Sequence, residues 1–203
     1  MDQVNLPVFH VRDTESSHGR YSDDIKEISF SDLVKFHGHA CDGLYRGVYA
    51  LSAAFKVLLP DGIIDRTDIR ALSRNSPCLG DAVSYLTGAR VRFGTQDVLN
   101  RSGVWYMLQI ISTQDSVEVT EDPDFFPSEI SDTETSLPGY GGKELSVMLD
   151  KLKEMQNRWI EETFLRTKPE EHYYARKIEF KWNEVPYSNK GIRTDILFKD
   201  VLR

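Results

Sequence analysis

Within eight residues, Phe36-His37-Gly38-His39-Ala40-Cys41-Asp42-Gly43, the chain sets two imidazoles and a thiol at i, i+2 and i+4. In an extended segment that alternation turns both rings to one side and leads into Cys41 at the start of a helix, which makes a ligand claw. Cys78 lies 37 residues further on, also at an expected helix start, with Asp81 expected in the first turn behind it. Unpaired N–H groups and the positive end of the helix dipole favour the thiolate at both cysteines, the form that binds metal or attacks carbon. The candidate metal ligands are therefore His37, His39, Cys41 and Cys78, and the candidate catalytic groups are Cys41, Cys78 and Asp81. Zinc is the usual occupant of mixed His/Cys sites, and nickel or iron use the same ligands. Asp81 serves metal or proton transfer in one reading and merely satisfies helix N–H groups in the other. His10, His18 and His172 have no comparable company and are read as ordinary surface or core residues.

The elements that must carry these residues follow from periodicity. Phe30 to Phe36 reads as a short helix capped by Ser29 or Ser31. Leu44, Val48, Leu51, Phe55 and Leu58 then repeat at helical spacing until Pro60-Asp61-Gly62 stops the pattern. Beside that stripe run Gly43, Gly47, Ala50 and Ala54, a nearly bare face that suits close packing on a sheet or, less readily, a helix–helix dimer contact. Thr67–Ser73 reads as a strand, and Pro77 opens a helix that ends at Gly88. Further strands are expected at Arg90–Phe93, Gly103–Ile111, Val117–Val119 and around Ile178–Trp182, with a short tail segment around Ile196–Phe198. Leu145, Met148, Leu149, Leu152, Met155 and Trp159 mark an amphipathic helix. The mixture gives an α+β fold rather than a regular doubly wound sheet.

The chain divides by composition into a polar arm over 1–28, a core over 29–120, a linker or loop over 121–142 and an extension over 143–203. The linker holds Pro123, Pro127, Pro138, Gly139, Gly141 and Gly142 among six acidic residues, too broken for helix or central strand. Acidity is concentrated before residue 143, with 21 acidic against 12 basic side chains. Across 203 residues the net charge is −7 and 40% of residues are hydrophobic. That apolar share builds a core and excludes wholesale disorder, while the charge argues against nucleic acid as a partner. No window approaches the ~18 apolar residues of a membrane span, and the first residues lack the basic and apolar regions of a signal peptide. The expected location is cytoplasmic, where two cysteines stay thiols or bind metal.

Phe36-His37-Gly38-His39-Ala40-Cys41-Asp42-Gly43-Leu44, followed by Cys78-Leu79-Gly80-Asp81-Ala82 and Leu86-Thr87-Gly88, resembles the FmdE family, named for a component of formylmethanofuran dehydrogenase, over roughly residues 30–115. The resemblance implies an α+β core with a groove lined by the motif residues, and metal binding by His37, His39, Cys41 and Cys78 with Asp81 nearby. Where many relatives have proline after the motif cysteine this chain has Asp42. Where relatives often show a lysine after a glycine it reads Arg101-Ser102-Gly103-Val104, and the cysteines of the family's C-terminal zinc finger are absent.

Three functions compete on these residues. The first is a metal-binding protein, with zinc foremost, acting as an enzyme on a small molecule. The second is a non-catalytic subunit or metal carrier docking a larger enzyme complex. The third is a metal-free enzyme with a cysteine nucleophile and His37 or His39 as its base. A homodimer is expected from the small-residue helix face and the resemblance.

Overall fold

The apolar stripe after Cys41 organises the whole chain. In the computed structural model, which describes residues 6–183, 191 and 193–201, strand β1 (Phe9–Arg12) pairs antiparallel with β2 (Lys26–Ile28). Helix α1 (Phe30–His37) follows, its start held by the Asp32 carboxylate, which accepts from the Ser29 N–H (3.0 Å) and hydroxyl (2.7 Å). Helix α2 (Asp42–Leu58) carries the stripe, and Leu44, Val48, Leu51, Phe55 and Leu58 are all buried. Each such side chain contributes roughly 1.5–3 kcal/mol on leaving water. Strand β3 (Ile63–Asp65) joins β1 in parallel and closes a three-stranded sheet ordered β2-β1-β3. The expected polar arm thus supplies two strands, because Phe9, Val11 and Ile28 bury against α2's end of the core.

The main sheet has five strands. β4 (Ile69–Arg74) leads into helix α3 (Pro77–Thr87), then β5 (Gln96–Leu99), β6 (Val104–Ile110) and β7 (Ser116–Glu121) follow. Helices α4 (Ser128–Ser136), α5 (Gly142–Glu162) and the single turn α6 (Pro169–His172) precede the last strand, β8 (Tyr173–Ile178). The strand order is β5-β4-β6-β7-β8, with β4 and β5 parallel and the other pairs antiparallel. Helices and mixed sheets together make the expected α+β fold.

The small-residue face of α2 lies inside this fold. A Cβ at Gly47 would stand 2.7 Å from Leu79 Cδ2 and 2.9 Å from Tyr106 Oη, so only glycine lets α3 and β6 approach α2 this closely. Ala50 and Ala54 are fully buried as well. The face is spent on packing within the chain, so a dimer would have to use other surface.

Four local expectations are corrected. Arg90–Phe93 is not a strand: Val91–Phe93 forms a 3-10 turn, because Phe93 N–H bonds back to Arg90 C=O (3.1 Å) and Gly94 takes a left-handed φ of 67°. The Pro/Gly-rich linker contains α4, whose Pro127 caps the start and whose Ile130 is anchored in the core at 2% exposure. The last strand ends at Ile178 instead of running to Trp182, and near Ile196 the described tail is a 3-10 turn over Thr194–Ile196. The described part of the 143–203 extension packs on the core. β8 is a strand of the main sheet, and Leu152, Trp159, Ile160 and Phe164 join Leu44 and Tyr49 in one buried cluster.

Candidate metal centre

Two helix starts and one helix end meet at the site. α1 ends at His37, and Gly38 at φ 102° reverses the chain in the left-handed region that its missing Cβ permits. Three residues later Cys41, extended at φ −127° and ψ 162°, is the N-cap of α2. From the sheet, β4 ends at Arg74, Ser76 caps α3 and Pro77 occupies its first position, which leaves Cys78 in the first turn. Both thiols therefore sit at helix N-termini, as their sequence context implies. A Cβ on Gly43 would lie 2.9 Å from Cys78 Sγ, so the bare first turn of α2 is what admits the second sulfur.

The resulting distances are short. Cys41 Sγ stands 3.4 Å from Cys78 Sγ and 3.7 Å from His37 Nε2. The donor atoms of His37, Cys41 and Cys78 all lie within 4.8 Å of one another. The other nitrogen of His37, Nδ1, donates to Asp81 Oδ2 at 2.8 Å. Because a carboxylate only accepts, this bond places a proton on Nδ1 and, in the neutral ring that a metal ligand must be, turns the lone pair of Nε2 toward the sulfurs. His37 is 5% exposed and Asp81 41%, so the pair reaches from a covered ring to the edge of solvent.

Both cysteines are free thiols. Cys41 donates to Cys78, which lowers Cys78 to about 6; His37 and Ser76 help, and burial opposes. The same bond, with burial, pushes Cys41 up. Cys78 is thus the more acidic of the two thiols.

Not every expected residue joins the cluster. His39 is exposed, its ring tilted over that of His37 with centroids 4.6 Å apart, and its nitrogens lie outside the three-donor group. Asp81 is in the second turn of α3, not the first, and its role is to orient His37. Asp42, the acid in place of the family's proline, turns away to Arg46 Nη1 (3.5 Å) and accepts from Gln156 Nε2 (3.2 Å). Arg46 in turn donates from Nε to Glu121 at 2.9 Å and lies 3.8 Å from the Phe126 ring centroid. Arg101 is held by the buried Glu118 at 2.6 Å. His172 stacks on Phe125 with centroids 3.7 Å apart, and His10 pairs with Glu27.

A groove of about 430 Å³ opens beside Cys41. His39, Ala40, Cys41 and Asp42 form one wall, and α5 forms the other through Leu149, Leu152, Lys153, Gln156, Asn157 and Ile160. Sequence reasoning placed α5 but not its contact with the motif, since nothing local marks Gln156 as the partner of Asp42.

The model of the FmdE family, described as molybdenum formylmethanofuran dehydrogenase operon, matches residues 36–179. The chain belongs to the FmdE family. The match passes well beyond the motif region and takes in α4, α5 and β8, so the helix that walls the groove is part of this FmdE chain's family core. Among solved structures, a tungsten formylmethanofuran dehydrogenase FmdE-like protein from Syntrophus aciditrophicus is similar at 24% identity and a TM-score of 0.47, covering 76% of this chain and 74% of that one. No curated protein matches significantly.

The donor set of this FmdE protein fits a metal ion. Tetrahedral zinc with sulfur at ~2.3 Å and nitrogen at ~2.0 Å needs donors about 3.5–3.8 Å apart; the nitrogen–sulfur gap of 3.7 Å lies in that range, the sulfur–sulfur gap of 3.4 Å just below it, and all three donors lie within 4.8 Å of one another. The carboxylate behind His37 is the partner that ligating histidines usually have. No helix among the described residues is long and apolar enough to cross a membrane.

Proposed function

We propose that this FmdE protein is an enzyme that holds one divalent metal ion, zinc first and nickel or iron as alternatives, between His37, Cys41 and Cys78 and acts on a small molecule in the groove along α5. The observation that carries the reading is the convergence of three borderline donors with Asp81 fixing the tautomer of one of them. Three protein ligands are the number that catalytic sites use when a position is kept for substrate or water. His39, at the groove mouth, is the residue placed to complete the set or to meet the substrate. When bound, such an ion supplies Lewis acidity, polarising a carbonyl or making water a stronger nucleophile at neutral pH. The chain's own part is orientation and proton handling: Asp81 holds the His37 ring, Cys78 is the more acidic of the two thiols, and α5 walls the groove.

Cobalt substitution tests this directly. Addition of Co2+ to metal-free protein is expected to produce sulfur-to-cobalt charge-transfer absorption in the near ultraviolet, lost in Cys41→Ser and Cys78→Ser. A spectrum without that absorption, or one unchanged in both variants, removes the ligand assignment.

A second reading has one observation in its favour. Cys78, lowered to about 6 and next to an imidazole, has the properties of a cysteine nucleophile. Rapid alkylation of Cys78 that added zinc does not slow would favour it over the metal site.

A further inference from the structure

The wall that α5 gives the groove is selective. Leu149, 47% exposed, lines its apolar part together with the edges of the buried Leu152 and Ile160. The one carboxylate on the lining, Asp42, is committed to Arg46 and to Gln156, whose amide nitrogen donates to Asp42 and to Glu134 at 2.8 Å. Lys153 and Asn157, one helical turn apart on the same face, make no hydrogen bond or ion pair among the described residues. Asp150 and Glu154 flank Lys153 on its own helix, yet neither lines the groove or reaches ion-pair distance of its ammonium. The groove therefore offers uncommitted donors, an apolar strip and no uncommitted acid.

We infer that this groove binds a small organic carboxylate, its anionic end on Lys153 and Asn157, its apolar body along Leu149 and the edges of Leu152 and Ile160, and its other end directed to Cys41. The volume of about 430 Å³ lies in the ~300–1,000 Å³ range of small-molecule sites. Lys153 and Asn157 are exposed, so their bonds to an anion gain strength only as the ligand's own apolar body covers them. Lys153 is then a specificity-determining residue. The inference rests on the proposed metal site only for what the ligand meets at the cysteine end.

Hexanoate, hexanamide and hexylamine, titrated into the full-length zinc-loaded protein and followed by amide chemical shifts in NMR, separate the possibilities. Hexanoate is expected to bind tightest, shifting the amides of Leu152 and Ile160, and Lys153→Gln to weaken it about tenfold while leaving hexanamide unchanged. Equal binding of all three compounds, or hexanoate binding unaffected by Lys153→Gln, overturns the inference. The same titration on metal-free protein keeps the two readings apart. Lys153-dependent binding there supports the groove even if the protein takes up no zinc, whereas binding that needs zinc and ignores Lys153 makes the carboxylate a metal ligand and overturns the groove assignment.

Discussion

Asp81 accepts a hydrogen bond from Nδ1 of His37 at 2.8 Å, across 44 residues of chain, and thereby turns Nε2 of the same ring toward the two cysteine sulfurs. The bond links α3 to the end of α1 and makes the imidazole a ligand of fixed orientation rather than a rotating one. Asp81→Asn is expected to weaken metal affinity about 10–100-fold, the usual loss when the partner behind a ligating histidine is removed. Since Asp81 is 41% exposed, thermal unfolding of the metal-free protein should change by less than about 0.5 kcal/mol. Competition against a chromophoric chelator checks the first value and calorimetry the second.

The first turn of α2 predicts a second effect. Gly43→Ala places a methyl group 2.9 Å from Cys78 Sγ, and Gly47→Ala one 2.7 Å from Leu79 Cδ2. Both are expected to cost about 1–3 kcal/mol by overpacking. Only Gly43→Ala should also disturb the sulfur pair and change the cobalt spectrum; identical spectra for the two variants would contradict the close approach of Cys78.

Thiol reactivity should follow pH in a way set by the shared proton. Cys78 is lowered to about 6 by Cys41, so its thiolate is present at neutral pH and disappears as pH falls through about 6. Cys41 is raised and stays protonated over the same range. The Cys78 thiolate favours the folded state above the ordinary thiol range near 8.5, and that contribution is lost toward acid. Iodoacetamide labelling of metal-free protein, mapped by mass spectrometry, should modify Cys78 first with a half-maximal rate near pH 6. A midpoint near the ordinary thiol value would refute the coupling.

These site relations were legible in the sequence to different depths. The spacing of His37, His39, Cys41 and Cys78 was readable because ligand types at helix starts are a local pattern, and three of the four converge. His39 does not: its ring lies against that of His37, but beyond the reversal at Gly38 it is exposed and its nitrogens fall outside the donor group. Asp81 is visible as a residue but not as the partner of His37, because the bond joins two helices across 44 residues and no local spacing marks it. The Gly43, Gly47, Ala50 and Ala54 stripe was read as close packing, and Tyr106 and Leu79 are what it packs against. Helix α4 escaped notice because its prolines lie at its edges, where they cap instead of break.

Arg46 predicts the largest loss of stability. Its side chain is 13% exposed, that of Glu121 7% and that of Asp42 13%, and it neutralises both acids. Arg46→Met keeps the volume but leaves two covered carboxylates with no cation, only the hydrogen bonds from Gln156 and Tyr173, and is expected to destabilise by about 3–5 kcal/mol. Denaturant unfolding would measure it; a loss below about 1 kcal/mol would mean that the acids are solvated.

Elemental mass spectrometry of protein purified without an affinity metal column, beside Cys41→Ser and Cys78→Ser, tests the central claim most directly. The account predicts about one equivalent of zinc, nickel or iron in the wild type and its loss in both variants, as one three-donor site requires. A metal-free wild type, or full occupancy in either variant, would contradict it.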